Sequence, residues 1–290
     1  VLEVGMGGRF DATNVVRPLV SVITTIAKDH EKHLGSSLKK IAFEKAGIIK
    51  PGVPVVCGVR SGDAHREIRR VARERGASIV EAFGPGRTLD VRPVRGGFRF
   101  AYPGERGRYA FSPALAGRHQ GANAAVAIAA AEVLSRIWKP LDKAKIIKAI
   151  GETRWEGRME TVRTRPLVLL DGAHNPEGAA ALAAHIRETI GRPVILVFAA
   201  MQDKDIRSMT RILFPVCGAV ILTRVPYKRS ATPEELAAAA PPFKGRILLE
   251  PDTRKAVRLA MAESLGRTPV VIAGSLFLIG EIKRLGLFRD

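Results

Sequence analysis

The chain has 290 residues, 46% of them apolar, and its 47 Lys and Arg outweigh 28 Asp and Glu for a formal net charge of +19. At about 100–200 residues per domain, that length predicts two domains with a core each, and the apolar content excludes a disordered chain. Its apolar runs, such as 193–201, fall far short of the roughly 20 residues of a membrane-spanning helix, and the positive balance favours anionic partners.

The chain opens on Val-Leu-Glu-Val-Gly-Met-Gly-Gly-Arg-Phe-Asp-Ala-Thr-Asn. An apolar strand end delivers Glu3 into a glycine-rich loop, and Asp11 and Asn14 follow. Such a loop lets backbone amides approach a phosphate, and an acid beside it can hold a hard cation. Residues 20–26 read as a buried strand, and 37–47 as a helix with a Ser start and a Gly stop. A second strand is expected at 53–59 and a basic amphipathic helix at 64–75. That helix holds the densest basic group, from Arg66 to Arg75, which reads as a solvated face. Residues 89–111, rich in Gly and Arg with short alternating segments, predict antiparallel hairpins, and 121–137 an Ala-rich helix. Cys57 and Cys217 lie far apart in apolar runs and read as buried free thiols, which suits a reducing cytoplasm.

From residue 167 the alternation is regular. Strands are expected at 167–170, 194–198, 219–223, 246–249 and 269–273, each followed by a helical pattern. Asn175 is placed to cap a helix whose first turn holds Pro176, and Thr232 with Glu235 forms a capping box. Asp203 and Asp205 read as caps rather than ligands. Alternation of this kind argues for an α/β protein with mostly parallel sheets, the second half a Rossmann-like domain with ligands at the carboxyl ends of its strands. The join is expected at 158/159.

Four separated segments call for one account: residues 3–14; Asp29-His30 with Glu44-Lys45-Ala-Gly; Gly117-Arg-His-Gln-Gly-Ala-Asn123; and Gly157-Arg158 with Asp171-Gly-Ala-His174-Asn-Pro. In this order and spacing the chain resembles the folylpolyglutamate synthase/dihydrofolate synthase family, an ATP-dependent, glutamate-adding branch of the Mur ligase superfamily. The resemblance continues through Asp203-Lys-Asp205 and Gly274-Ser275-Leu-Phe. It implies that 1–158 are a remnant of a parallel-sheet, P-loop-type ATPase domain and 159–290 a Rossmann-like glutamate-ligase domain. The family's phosphate loop, G-x-x-x-x-G-K-[ST], is not found in the chain. The expectation is therefore an incomplete enzyme, inactive as an isolated chain.

The resemblance also implies roles. Glu3, His30 and Lys45 are expected metal ligands for Mg2+, with Lys45 carbamylated so that it offers oxygen; the modification needs a neutral amine, which burial or neighbouring cations favour. Imidazole is an unusual choice for magnesium, which prefers oxygen. Asn123, Arg158 and Asp171 are expected at ATP, Asp11 at the pterin-bearing substrate, and His174 and Ser275 at L-glutamate. Lys45 and His174 are the expected catalytic residues. His174 stands just before a helix start, a place suited to an anion. The implied partners are folate or dihydropteroate, L-glutamate and ATP, and a cytoplasmic monomer is expected. Two alternatives stand beside this: another Mur-type amino-acid ligase, or an inactive nucleotide-binding protein. A nucleic-acid binder is set aside, since three Tyr and two Trp are few for base stacking and no such motif occurs.

Overall fold

Three short apolar strands, β1 (Ser21–Ile23), β2 (Val55–Cys57) and β3 (Ile79–Glu81), pair in parallel in the order β1-β2-β3. They belong to a computed structural model that describes residues 1–28 and 31–288. The expected strands at 20–26 and 53–59 shrink to three residues each. Apolar character marks burial, whereas a ladder needs a paired neighbour at every residue, and the pairing of β1 with β2 ends at Ile23 and Cys57. Strand β3 has no counterpart among the expected elements; it is three half-buried residues with no periodic signal.

Between these strands lie α1 (Glu31–Leu34), α2 (Leu38–Ala46) and α3 (Gly62–Glu74). Helix α2 matches its sequence signals: Ser37 accepts the amide of Lys40, and Gly47 closes the last turn. Helix α3 turns Ala64, Ile68, Val71 and Ala72 onto the sheet residues Val55 and Cys57, leaving its arginines on the outer face.

The 89–111 segment forms the antiparallel meander that its alternation predicts, β4 (Asp90–Val94), β5 (Gly97–Gly104) and β6 (Gly107–Phe111). It packs on α4 (His119–Ile137), with Phe100, Tyr102, Tyr109 and Phe111 against Ala124, Ala125, Ile128 and Ala129. Helix and sheet approach so closely that a Cβ on Gly121 would strike the ring of Phe100. Glu132, 2% exposed, crosses that interface. Its carboxylate accepts the amides of Glu105 (3.1 Å) and Arg106 (2.9 Å) and the Tyr109 hydroxyl (3.0 Å), so the β5–β6 turn is tied to α4. Helix α5 (Lys143–Glu152) follows, started by Asp142, and packs Ile146, Ile147 and Ile150 against the same core; no helix was expected there.

The remaining elements form one six-stranded sheet: β7 (Glu160–Thr164), β8 (Leu167–Asp171), β9 (Val194–Phe198), β10 (Cys217–Leu222), β11 (Arg246–Leu249) and β12 (Val270–Ala273). The order is β11-β10-β9-β12-β8-β7, parallel except for the antiparallel edge strand β7. Alternate strand residues serve opposite faces. Leu196, Phe198, Val220 and Val271 pack with α6 (Pro176–His185), α7 (Ile206–Leu213) and α8 (Pro233–Ala239). Ile195, Val197, Ile221 and Ile272 pack with α9 (Thr253–Glu263) and α10 (Leu276–Arg284). Asn175, Asp205 and the Thr232–Glu235 box cap their helices as expected.

The chain thus divides into two units, Val1–Ala114 with Arg118–Thr153 and Leu115–Gly117 with Arg154–Asp290. The expected join at 158/159 moves to 153/154, because the Gly157 carbonyl accepts the Gly172 amide at 2.7 Å and so ties Gly157 and Arg158 to the second unit. Both cysteines are free, and burial pushes each thiol up to about 12. Cys57 is buried, whereas Cys217 is only partly so. Among the described residues no helix is long and apolar enough to cross a membrane.

Candidate active site

The glycine-rich loop at the start of the first unit is folded around Asp11. One carboxylate oxygen, Oδ2, accepts the amides of Gly5 (3.0 Å) and Met6 (2.9 Å). The other, Oδ1, accepts the amide and hydroxyl of Thr13 (3.0 and 2.6 Å). The loop then sits on the carboxyl end of α2. The Arg9 amide donates to Glu44 O at 2.9 Å, and Asn14 Nδ2 to Gly47 O at 3.2 Å. A Cβ on Gly47 would run into the Arg9 backbone. The amides of Gly5, Met6 and Arg9 are thus used within the chain, and Gly47 serves close packing. Glu3 is exposed just ahead of the loop, and Lys45 is half-buried in the last turn of α2. His30, with Asp29, lies outside the described residues.

Four donors hold the Asp11 carboxyl at about 2, below its ordinary 3.8, the Thr13 hydroxyl contributing most. A depressed carboxyl supports the fold fully above 3.8, and that support is lost as pH falls through about 2. The Gly5 and Met6 amide resonances are therefore expected to shift in acid with a midpoint near 2. A midpoint at the ordinary carboxyl value in an NMR titration would show that these bonds do not hold in solution.

In the second unit, β8 and β12 are neighbours, with Asp171 opposite Ala273 at their carboxyl ends. Helix α6 leaves β8 toward one face of the sheet and α10 leaves β12 toward the other. Such a divergence opens a crevice at a topological switch point, the usual ligand position in this architecture. Asp171 is 6% exposed, and each of its oxygens is engaged: Oδ2 accepts the Met159 amide and Oδ1 the Ala173 amide, both at 2.9 Å. Burial pushes its carboxyl up, against the pull of these donors. One amide follows Arg158 and the other precedes His174, so a single carboxylate positions both residues.

Arg158 is exposed. Its loop has a second anchor in Glu160, which accepts the Gly157 amide (2.7 Å) and Lys283 Nζ (2.8 Å). His174 Nδ1 donates to Gly172 O at 2.8 Å, so in the neutral ring Nε2 is the acceptor nitrogen. Asn175 caps α6 by accepting the Gly178 amide at 2.8 Å. The loops carrying Arg158 and His174 thus meet at Asp171, just ahead of the amino end of α6; guanidinium, imidazole and a helix start are groups fitted to phosphate or carboxylate. Ser275, 2% exposed, accepts the Phe277 amide at 3.1 Å and caps α10. Asn123, in the first unit, is exposed on α4 and donates to Gln120 Oε1 at 3.0 Å.

Two features of the second unit escaped the sequence reading. Glu160 follows Gly157 by three residues, but Lys283 is 123 residues further on, and no local signal joins them. Tyr227 and Phe277 stack with ring centroids 4.5 Å apart, both substantially exposed. An exposed aromatic near a helix start reads as ordinary surface until its partner is seen.

Both units resemble known proteins. Residues 1–131 match the Mur ligase middle domain, and 157–276 the Mur ligase, glutamate ligase domain. The chain is 33% identical over 288 residues to the dihydrofolate synthase/folylpolyglutamate synthase of Bacillus subtilis, a match over 98% of this chain and 66% of that protein. It is 30% identical to a probable dihydrofolate synthetase of Schizosaccharomyces pombe, over 98% of this chain and 70% of the relative. Among solved structures, Mycobacterium tuberculosis folylpolyglutamate synthase complexed with ADP and AMPPCP superposes with a TM-score of 0.90 at 31% identity, covering 99% of this chain and 68% of that one. The chain thus spans somewhat less than two thirds of the Bacillus protein.

Proposed function

Because the chain belongs to the folylpolyglutamate synthase/dihydrofolate synthase family of Mur ligases, we propose that the protein carrying it uses ATP to join L-glutamate to the carboxylate of a folate or of dihydropteroate. Amide formation in water needs an activated acyl group. The substrate carboxylate oxygen attacks the γ-phosphorus of ATP, giving an acyl phosphate and ADP. The amine of glutamate then attacks the acyl carbon, losing a proton as inorganic phosphate leaves. Both steps move spread negative charge, so the protein's part is positioning and cationic support.

The observation that carries this reading is the crevice between β8 and β12, where Asp171 sets both Arg158 and His174. Arg158 supplies a permanent planar cation to nucleotide phosphates. His174 and the amino end of α6 receive the carboxylate of glutamate, with Ser275 keeping the start of α10 in place. Asn123 contributes to the nucleotide, and Asp11 to the pterin-bearing substrate through the loop that it organises. Magnesium, when bound, screens the phosphates during transfer. Glu3 offers it an exposed carboxylate, and Lys45 fits such an ion only as a carbamate, since an ammonium has no lone pair to give. The free cysteines suit a reducing cytoplasm.

The test is glutamate-dependent ADP release by the whole protein, with dihydropteroate and with tetrahydrofolate as acceptors. Amide product from at least one acceptor is expected. Turnover with an unrelated carboxylate or amino acid, and none with either pteridine, would replace the proposal with a different Mur-type ligase.

A further inference from the structure

A second cluster of chemically able side chains stands in the first unit, apart from the residues assigned above. Cys57 closes β2 and Glu81 closes β3, and the two are register partners, so their side chains leave the parallel sheet on the same face. Helix α3, the crossover between these strands, covers that face and carries His65 in its first turn. His65 Nε2 lies 3.0 Å from Glu81 Oε1. The sulfur, a ring nitrogen and a carboxylate oxygen all lie within 4.8 Å of one another. Glu81 Oε2 is buried without a hydrogen-bond partner, an uncommon state for a carboxylate oxygen. His65 and Glu81 line a cavity of about 440 Å³, and Cys57 is wholly buried.

We propose that Cys57, His65 and Glu81 bind a divalent transition metal of the zinc type, with the fourth position open to the cavity. One sulfur, one imidazole nitrogen and one carboxylate oxygen are a donor set for zinc or cobalt and a poor one for magnesium or calcium. In a tetrahedral site such donors stand about 3.3–3.7 Å apart, given metal–ligand bonds of about 2.0–2.3 Å. Against that bound of 4.8 Å the longest separation closes by at most about 1.5 Å, while the His65–Glu81 pair, at 3.0 Å, opens slightly. On binding, the Cys57 thiol gives its proton to solvent and the thiolate becomes the ligand. Charge also balances. Arg60, Arg69, Arg87 and Glu105 line the cavity, with Arg87 paired to Glu105 at 3.1 Å and Arg69 3.7 Å from Glu81 Oε1, so the net positive lining would repel a bare cation. Thiolate and carboxylate together offset a divalent ion, so the arginines face a neutral centre and favour water or an anion as the fourth ligand. The rival account is a metal-free network of His65, Glu81 and Arg69.

The test uses the full chain, stripped of metal by a chelator and titrated with Co2+. One equivalent is expected to give the visible bands of tetrahedral cobalt and a near-ultraviolet thiolate-to-cobalt band, both bleached by Zn2+. Cys57→Ser should abolish the thiolate band, and Cys217→Ser should leave it intact. Glu81→Gln should weaken Zn2+ binding about tenfold or more against a chromophoric chelator, and it keeps the test readable if Cys57→Ser does not fold. Absence of the thiolate band in the unaltered chain, its survival in folded Cys57→Ser, or unchanged Zn2+ affinity in Glu81→Gln would overturn the site in favour of the metal-free network.

Discussion

On the proposed function, Asp171→Asn is expected to lower kcat/KM for ATP about a hundredfold in the whole protein and to cost the second unit about 1–3 kcal/mol. The carboxylate accepts one backbone amide on each oxygen. An asparagine side chain keeps one acceptor and turns an NH2 group toward the other amide, so Met159 or Ala173 loses its partner inside the fold. An unsatisfied buried donor accounts for the stability loss. The kinetic loss has a separate origin. The two amides sit beside Arg158 and His174, and a displacement near 1 Å of groups that align reactants costs about 10² in rate. Steady-state kinetics and thermal melting of the same preparation separate the two effects. A lower melting temperature with unchanged kcat/KM would make Asp171 a purely structural acid. A raised KM at constant kcat would instead mark a contact that holds ATP equally in ground and transition states.

Glu132→Ala is expected to destabilise the first unit by about 3–5 kcal/mol, a large part of the roughly 5–15 kcal/mol that a domain of ordinary stability has. The loss strands the amides of Glu105 and Arg106 and the hydroxyl of Tyr109, which is fully buried. Burial, with the neighbouring Glu132 charge adding to it, pushes the Tyr109 hydroxyl up to about 12, so it stays a donor across the working pH range. Glu132→Gln retains a carbonyl acceptor and should lose less. Urea unfolding of the three proteins gives the ranking, and a Glu132→Ala loss below 1 kcal/mol would show that water replaces the carboxylate without penalty.

Asp11 and Glu132 play the same structural part. Each carboxylate is occupied by backbone amides of a tight loop. An acid in a glycine-rich segment invites a ligand role, yet the nearest unpaired donors are those of the loop itself. For Asp11 the amides of Gly5 and Met6 are captured first.

Helix starts and stops, the alternation of strand with helix and the order of the motif segments were all legible in the residues. Ser37, Asn175, Asp205 and Thr232 cap the helices they were expected to cap, because a cap acts on amides two or three positions ahead and the whole interaction lies within one turn. The meander at 89–111 was legible for the same reason, since alternation is a property of consecutive residues. Tertiary structure alone decided where each ladder ends, that Arg158 folds with the second unit, and that Asp171 and Glu160 tether its loop. It alone joined Lys283 to Glu160 across 123 residues, and set Cys57 beside Glu81 through strand pairing. These contacts depend on which distant donor the folded chain delivers to each acceptor, and that pairing follows from strand order and packing rather than from any short window of sequence.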